Sequence, residues 1–129
     1  MDDDGVLIGG REKREIVIVE YDARWPEAFA SHARAIRSAL GDVALAVEHI
    51  GSTAVPGLAA KPIIDVIVVV PNSADEPAYL PALLAAGYVL RVREPDWHEH
   101  RMLRTAALDA HVHVYSAGCA EVARQLAFR

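Results

Sequence analysis

The chain has 129 residues, 53% hydrophobic and 24% charged, a composition that suits one domain around one core and excludes disorder over most of its length. Eighteen acidic against thirteen basic side chains give a formal charge of -5, so a broad basic surface that would hold nucleic acid by counterion release is not expected. One cysteine, Cys119, excludes an intrachain disulfide, no apolar run reaches the roughly 18–20 residues of a membrane span, and the acidic start Met1-Asp2-Asp3-Asp4 is the reverse of a signal peptide. The expected compartment is the cytoplasm, with no membrane partner.

In chain order, residues 1–15 lack an apolar period and read as a flexible leader, with a single domain expected over 16–129. Ile16-Val17-Ile18-Val19 is a short β-branched run. Trp25, Phe29, Ala33, Ile36 and Leu40 recur at three- and four-residue spacing, with Pro26 and Glu27 in the first turn and Gly41 as the stop, which predicts an amphipathic helix. Val43–Ile50 predicts a strand, and Gly51-Ser52-Thr53 a turn after it. Ile63–Val70 is almost wholly apolar, as in a central strand covered on both faces, and Asp65 is its only polar residue. A helix is expected from Ser73 or Asp75 to Ala86, then strands over 88–93, 100–106 and 111–116, and a last amphipathic helix over 119–128. The irregular alternation predicts an α+β domain: a mixed sheet with helices packed on it.

Chemistry concentrates in two places. From Glu48 to Asp65 the chain offers a strand, a small-residue turn whose amides and hydroxyls suit an anion, a lysine (Lys61) and a second strand bearing a carboxylate. A Ser or Thr after a strand also commonly caps a helix, and that reading stays open. Asp65 needs a cation, hydrogen-bond donors or a solvent-lined cleft, because a lone carboxylate in an apolar strand is costly; Lys61, Arg101 and Arg104 are candidate ion-pair partners. In His111-Val112-His113-Val114-Tyr115 strict alternation puts both histidines on one strand face, where they suit metal chelation or a solvated, hydrogen-bonded face. Arg91, Arg93, Arg101 and Arg104 suit a phosphate or an exposed, charge-paired hairpin. A His49-Ser52-Asp65 triad can also be written, but no G-x-S-x-G elbow accompanies it.

Tyr21-Asp22 with Trp25, the string from Glu48 to Asp65, Arg101 and Arg104, His111-Val112-His113-Val114 and Leu126-Ala127-Phe128-Arg129 together resemble the GrpB family over nearly everything after residue 15. The resemblance implies a polymerase-β-like nucleotidyltransferase fold, and relatives fused to dephospho-coenzyme A kinase. In active members of that superfamily a Gly-Ser turn holds the triphosphate, and two carboxylates at i, i+2 hold divalent metal. Gly51 and Ser52 match the turn and Asp65 the first carboxylate, whereas the second position is Ile67. The implied site therefore has Gly51, Ser52, Thr53, Arg101 and Arg104 on phosphate, and Asp65, His111 and His113 on a divalent metal, magnesium or manganese with zinc as alternative. Asp65, Lys61 and His113 would sit at the reacting centre.

The implied partner is a nucleotide or other phosphorylated small molecule. The implied function is nucleotidyl or phosphoryl transfer; the alternatives are a non-catalytic nucleotide- or phosphate-binding accessory module and a small metal-dependent hydrolase. The family pattern also runs past Phe128-Arg129 into a further helix. Without it, exposure of Val122, Leu126 and Phe128 and a homodimer are expected.

Overall fold

The computed structural model describes residues 6–8 and 17–128. Helix α1 (Trp25–Leu40) forms as its apolar spacing demands, with proline in the first turn, Glu27 at the positive end of the helix dipole and Arg37 at the negative end. Trp25, Ile36 and Leu40 turn inward. Gly41 ends the helix at φ 56°, a conformation that costs a residue without Cβ little.

Six strands follow the order β1-β4-β5-β6-β3-β2: β1 (Val6–Leu7), β2 (Ala46–Ile50), β3 (Ile64–Val70), β4 (Tyr88–Glu94), β5 (His100–Thr105) and β6 (Ala110–Ser116). Among the described residues only β3 and β6 pair in parallel, so the sheet is mixed and the fold is α+β. Helices α1 and α2 (Leu80–Ala85) cover one face, meeting Val47, Val66, Val68, Leu103, Val112 and Val114. Helix α3 (Ala120–Ala127) lies on the other, where Val122 and Leu126 pack against the cluster of Ile50, Ile67, Val69 and Tyr115. Burial of β3 on both sides is what an apolar run bounded by turns leads one to expect.

Several elements differ from the sequence reading. Within the segment read as a leader, Val6 and Leu7 pair with Arg93 and Val92 as an edge strand and the Ile8 N–H donates to the Arg91 carbonyl at 2.8 Å; residues 1–5 and 9–15 lie outside the described residues. Of the 16–19 run, Val19 makes a single bridge to Ala60 and joins no strand, while Ile16 lies outside the described residues. Residues 41–43 form a 3-10 turn before β2. Pro77 and Pro81 break the expected 73–86 helix into a 3-10 turn, Glu76–Ala78, and the short α2, since each proline lacks the N–H that a continuous helix would use. Val122 and Leu126 are partly buried against the sheet instead of standing free, whereas Phe128 is 75% exposed.

One irregularity sets up the site. Along β4, Leu90 faces Leu103 and Val92 faces Met102, so Arg91 is an extra residue. The bulge reverses the side-chain alternation beyond it, because strand faces have period two. Glu94 thereby lies opposite His100 on the α3 side, and Arg93 turns to the α2 side, where it meets Glu76.

Candidate functional site

Asp65 lies one residue into β3, between Ile50 of β2 and His111 of β6. Because Gly51 directly follows Ile50, the turn after β2 folds across the Asp65 carboxylate. A methyl at Gly51 would stand 2.9 Å from Asp65 Oδ2, and the backbone there has φ 75° and ψ -172°, a region essentially confined to glycine. Glycine is thus required twice over, by conformation and by close approach. Ser52–Ala54 continues as a 3-10 turn with Ser52 exposed.

Both imidazoles of β6 reach the same carboxylate oxygen: His113 Nε2 lies 3.3 Å and His111 Nδ1 3.7 Å from Asp65 Oδ1. The partners of Asp65 are therefore histidines, and the ion pairs with Lys61, Arg101 or Arg104 expected as its structural alternative do not form the contact. Behind His113 runs a chain of contacts. His100 Nε2 is 3.0 Å from His113 Nδ1, and His100 Nδ1 is 2.6 Å from Glu94 Oε1.

Hydrogen-bond polarity follows from the carboxylate ends. Both ends of this chain of contacts are carboxylates that when ionised only accept, Glu94 from His100 Nδ1–H and Asp65 from His113 Nε2–H. Two neutral imidazoles carry two N–H groups for the three contacts, so the His113 Nδ1–His100 Nε2 contact is filled only by one further proton. Burial, with His113 beside it, pushes the His100 pKa down to about 4 against the pull of Glu94. His100 thus stays neutral at neutral pH.

Two cavities meet at Asp65. The first, about 290 Å3, is bordered by Ser52, Thr53, Lys61, Asp65 and His111. The second, about 410 Å3, lies on the Gly51 and His113 side and adds Glu94, Trp97, His100 and Tyr115.

Of the residues singled out from sequence, Gly51, Ser52, Lys61, Asp65, His111 and His113 all border one cavity or the other. Arg104, opposite His111 in the β5–β6 ladder, shares their face, and its Nη1 donates to the Thr105 carbonyl at 3.0 Å. Thr53 borders the first cavity, but its hydroxyl is spoken for: it donates to the Ile63 carbonyl at 3.2 Å and accepts from His49 Nε2 at 3.0 Å, with the residue only 2% exposed. Thr53 locks the turn and does not offer its hydroxyl to phosphate.

Arg101 is on the opposite face of the sheet. It is buried, with Nε 2.8 Å from Glu76 Oε2 and Nη1 2.7 Å from Glu99 Oε1, because its register partner is the core residue Val114. His49 also faces away, its ring stacked on Phe29 of α1 at 4.8 Å, so the His49-Ser52-Asp65 triad does not assemble. Among the described residues no group of three or more His, Cys, Asp or Glu side chains is arranged to hold a metal ion. Asp65, His111 and His113, the residues expected on a divalent metal, come together, with both imidazoles facing one oxygen of Asp65.

Sequence reasoning missed Glu94, Trp97 and His100. They lie in the stretch read as an exposed, charge-paired hairpin, and the signal that would have found them is the β4 bulge, which no local pattern announces.

The sequence profile described as GrpB protein matches residues 15–129. The chain belongs to the GrpB family. This GrpB-family chain is 56% identical over 123 residues to the UPF0157 protein of Streptomyces coelicolor, covering 95% of itself and 64% of that protein. It is 55% identical over 114 residues to the UPF0157 protein of Halalkalibacterium halodurans, covering 88% of itself and 58% of that relative. The chain therefore spans about six-tenths of the length of these relatives. The crystal structure of the conserved protein GrpB from Enterococcus faecalis superposes with a TM-score of 0.76 at 36% identity, covering 88% of this chain and 70% of that one. No helix among the described residues is long and apolar enough to cross a membrane.

Proposed function

We propose that the chain binds a nucleotide or other phosphorylated small molecule in the first cavity and, as a nucleotidyltransferase-like protein of the cytoplasm, transfers its nucleotidyl or phosphoryl group to an acceptor. The observation that carries this reading is the Gly51-Ser52 turn packed so closely on Asp65 that a methyl at Gly51 would stand 2.9 Å from Oδ2, with Ser52, Asp65 and Lys61 bordering one cavity. Ser52 and the turn amides would receive the phosphates, with Lys61, Arg104 and His111 offsetting their charge.

In the transfer, the acceptor hydroxyl oxygen attacks the α-phosphorus of a nucleoside triphosphate. The bond from that phosphorus to the bridging oxygen breaks, and pyrophosphate leaves with the electron pair. The hydroxyl proton passes to the Asp65–His113 pair, which the Glu94–His100 contacts hold in place. Asp65, 31% exposed and bordering both cavities, has the chemistry to hold a magnesium or manganese ion that arrives on the nucleotide, since such ions take one or two carboxylates together with substrate phosphates. That ion would neutralise phosphate charge.

A second reading, a binding module without turnover, is favoured by Ile67, fully buried beside His113 where active relatives of the wider superfamily would have a second carboxylate. Calorimetric titration of the four ribonucleoside triphosphates with magnesium or with chelator, followed by an assay for released pyrophosphate, separates the two. Transfer requires both binding and release; binding alone supports the module. Equal affinity in wild type, Ser52→Ala, Lys61→Ala and Asp65→Asn would refute the site itself.

A further inference from the structure

The second cavity is the part of the site that phosphate binding leaves unused, and its chemistry differs from that of the first. Two carboxylates, Asp65 and Glu94, border it, and no Lys or Arg is among its lining residues, whereas Lys61 borders the first cavity. A phosphate or carboxylate entering the second cavity would face negative charge without a cation to offset it. Aromatic groups supply much of the remaining wall. Trp97 lies edge-on to His100 at 5.3 Å, and His100 stacks on Tyr115 at 4.9 Å, which fixes these rings as a rigid lining. Aromatic rings beside carboxylates attract organic cations, tryptophan most strongly. At about 410 Å3 the space suits a small molecule.

Position adds to chemistry. Asp65 and His113 border the cavity, so a hydroxyl reaching them would lie between the phosphate-binding cavity and the Asp65–His113 pair. We propose that this second cavity is the subsite for the group-accepting substrate, an alcohol that carries an ammonium or comparable cationic group. The acceptor role rests on the transfer reading given above; the preference for a cation rests only on the lining of the cavity.

The test uses the full chain, labelled with 15N, and three probes: choline chloride, sodium acetate and inorganic phosphate. Choline is expected to shift the Gly51, Trp97 and Gln125 amides saturably and to change Trp97 fluorescence, the other tryptophan, Trp25, being only 6% exposed in the core. Acetate should leave them unmoved. Phosphate should shift Ser52 and Lys61 instead. Glu94→Gln should weaken choline by roughly five- to tenfold and leave phosphate unchanged, while Lys61→Ala should do the reverse. Should Glu94→Gln unfold, the comparison of choline with acetate on the wild type still decides.

Acetate or phosphate displacing choline at Trp97, or choline giving no saturable shift there, overturns the proposal. Choline bound at Trp97 with no phosphate response at Ser52 supports the cation site and overturns the transfer reading instead.

Discussion

Replacing Gly51 by alanine probes the contact on which the site is built. The residue sits at φ 75° and ψ -172°, and holding a residue with a side chain in that region costs on the order of 1–3 kcal/mol. The added methyl would also stand 2.9 Å from Asp65 Oδ2 and 3.4 Å from Asp65 Cβ. Relief requires the carboxylate to rotate, and the rotation withdraws Oδ1 from His113, now at 3.3 Å. Together these effects should destabilise the fold by about 2–3 kcal/mol, which for a domain of this size lowers the melting temperature by about 10 °C. Thermal melts followed by circular dichroism read the first consequence, and nucleotide titration the second: affinity should fall further than it does in Lys61→Ala. A Gly51→Ala protein that melts with wild type and binds nucleotide equally well would refute both the strain and the role of the turn.

Asp65→Asn should keep the fold, because the side chain is partly exposed and no buried cation depends on it, yet lose nucleotide binding; an unfolded variant would instead make Asp65 a structural residue. Stability should fall with acid in two windows. His100, at about 4 when folded against 6.5 otherwise, binds its proton more readily in the unfolded chain, so stability present above pH 6.5 is lost as pH falls toward 4, by about 3 kcal/mol at most. Glu76, held down to about 2 from 4.5 by Arg93 and Arg101, contributes stability that is present above pH 4.5 and lost on the way to pH 2. Urea unfolding across this range checks both, and His100→Gln should flatten only the upper window; an unchanged slope there would contradict the assignment. Glu76→Gln should cost about 1–3 kcal/mol by leaving the buried Arg101 with Glu99 as its remaining carboxylate, and adding Arg101→Met should recover part of that loss. A neutral Glu76→Gln by chemical denaturation would show the pair to be dispensable.

Much of this protein is legible without coordinates. The helical spacing from Trp25 to Leu40, the apolar run of β3 and the strict alternation of β6 are local patterns, and each produced its element because short-range spacing decides which face is apolar. The same patterns singled out Gly51, Asp65, His111 and His113, since a carboxylate in an apolar strand and paired histidines on one strand face both demand explanation. Arg101 and Thr53 were misassigned for one reason: residue type says what a side chain can bind, whereas partners supplied by distant segments, Glu76 and Glu99 for Arg101 and Ile63 for Thr53, say what it does bind.

What the sequence by itself determined is the set of elements and the chemistry available on each. Only the tertiary structure decided which chemistries meet. The parallel pairing of β3 with β6 sets His111 opposite Asp65, and pairing between strands more than forty residues apart depends on sheet order, which no local pattern encodes. The bulge at Arg91 decides the rest: one extra residue reverses the faces of β4, sending Glu94 to His100 and Arg93 to Glu76. A strand read in isolation keeps its period of two, so the relay behind His113 exists only because β4 is packed against β5 in that register.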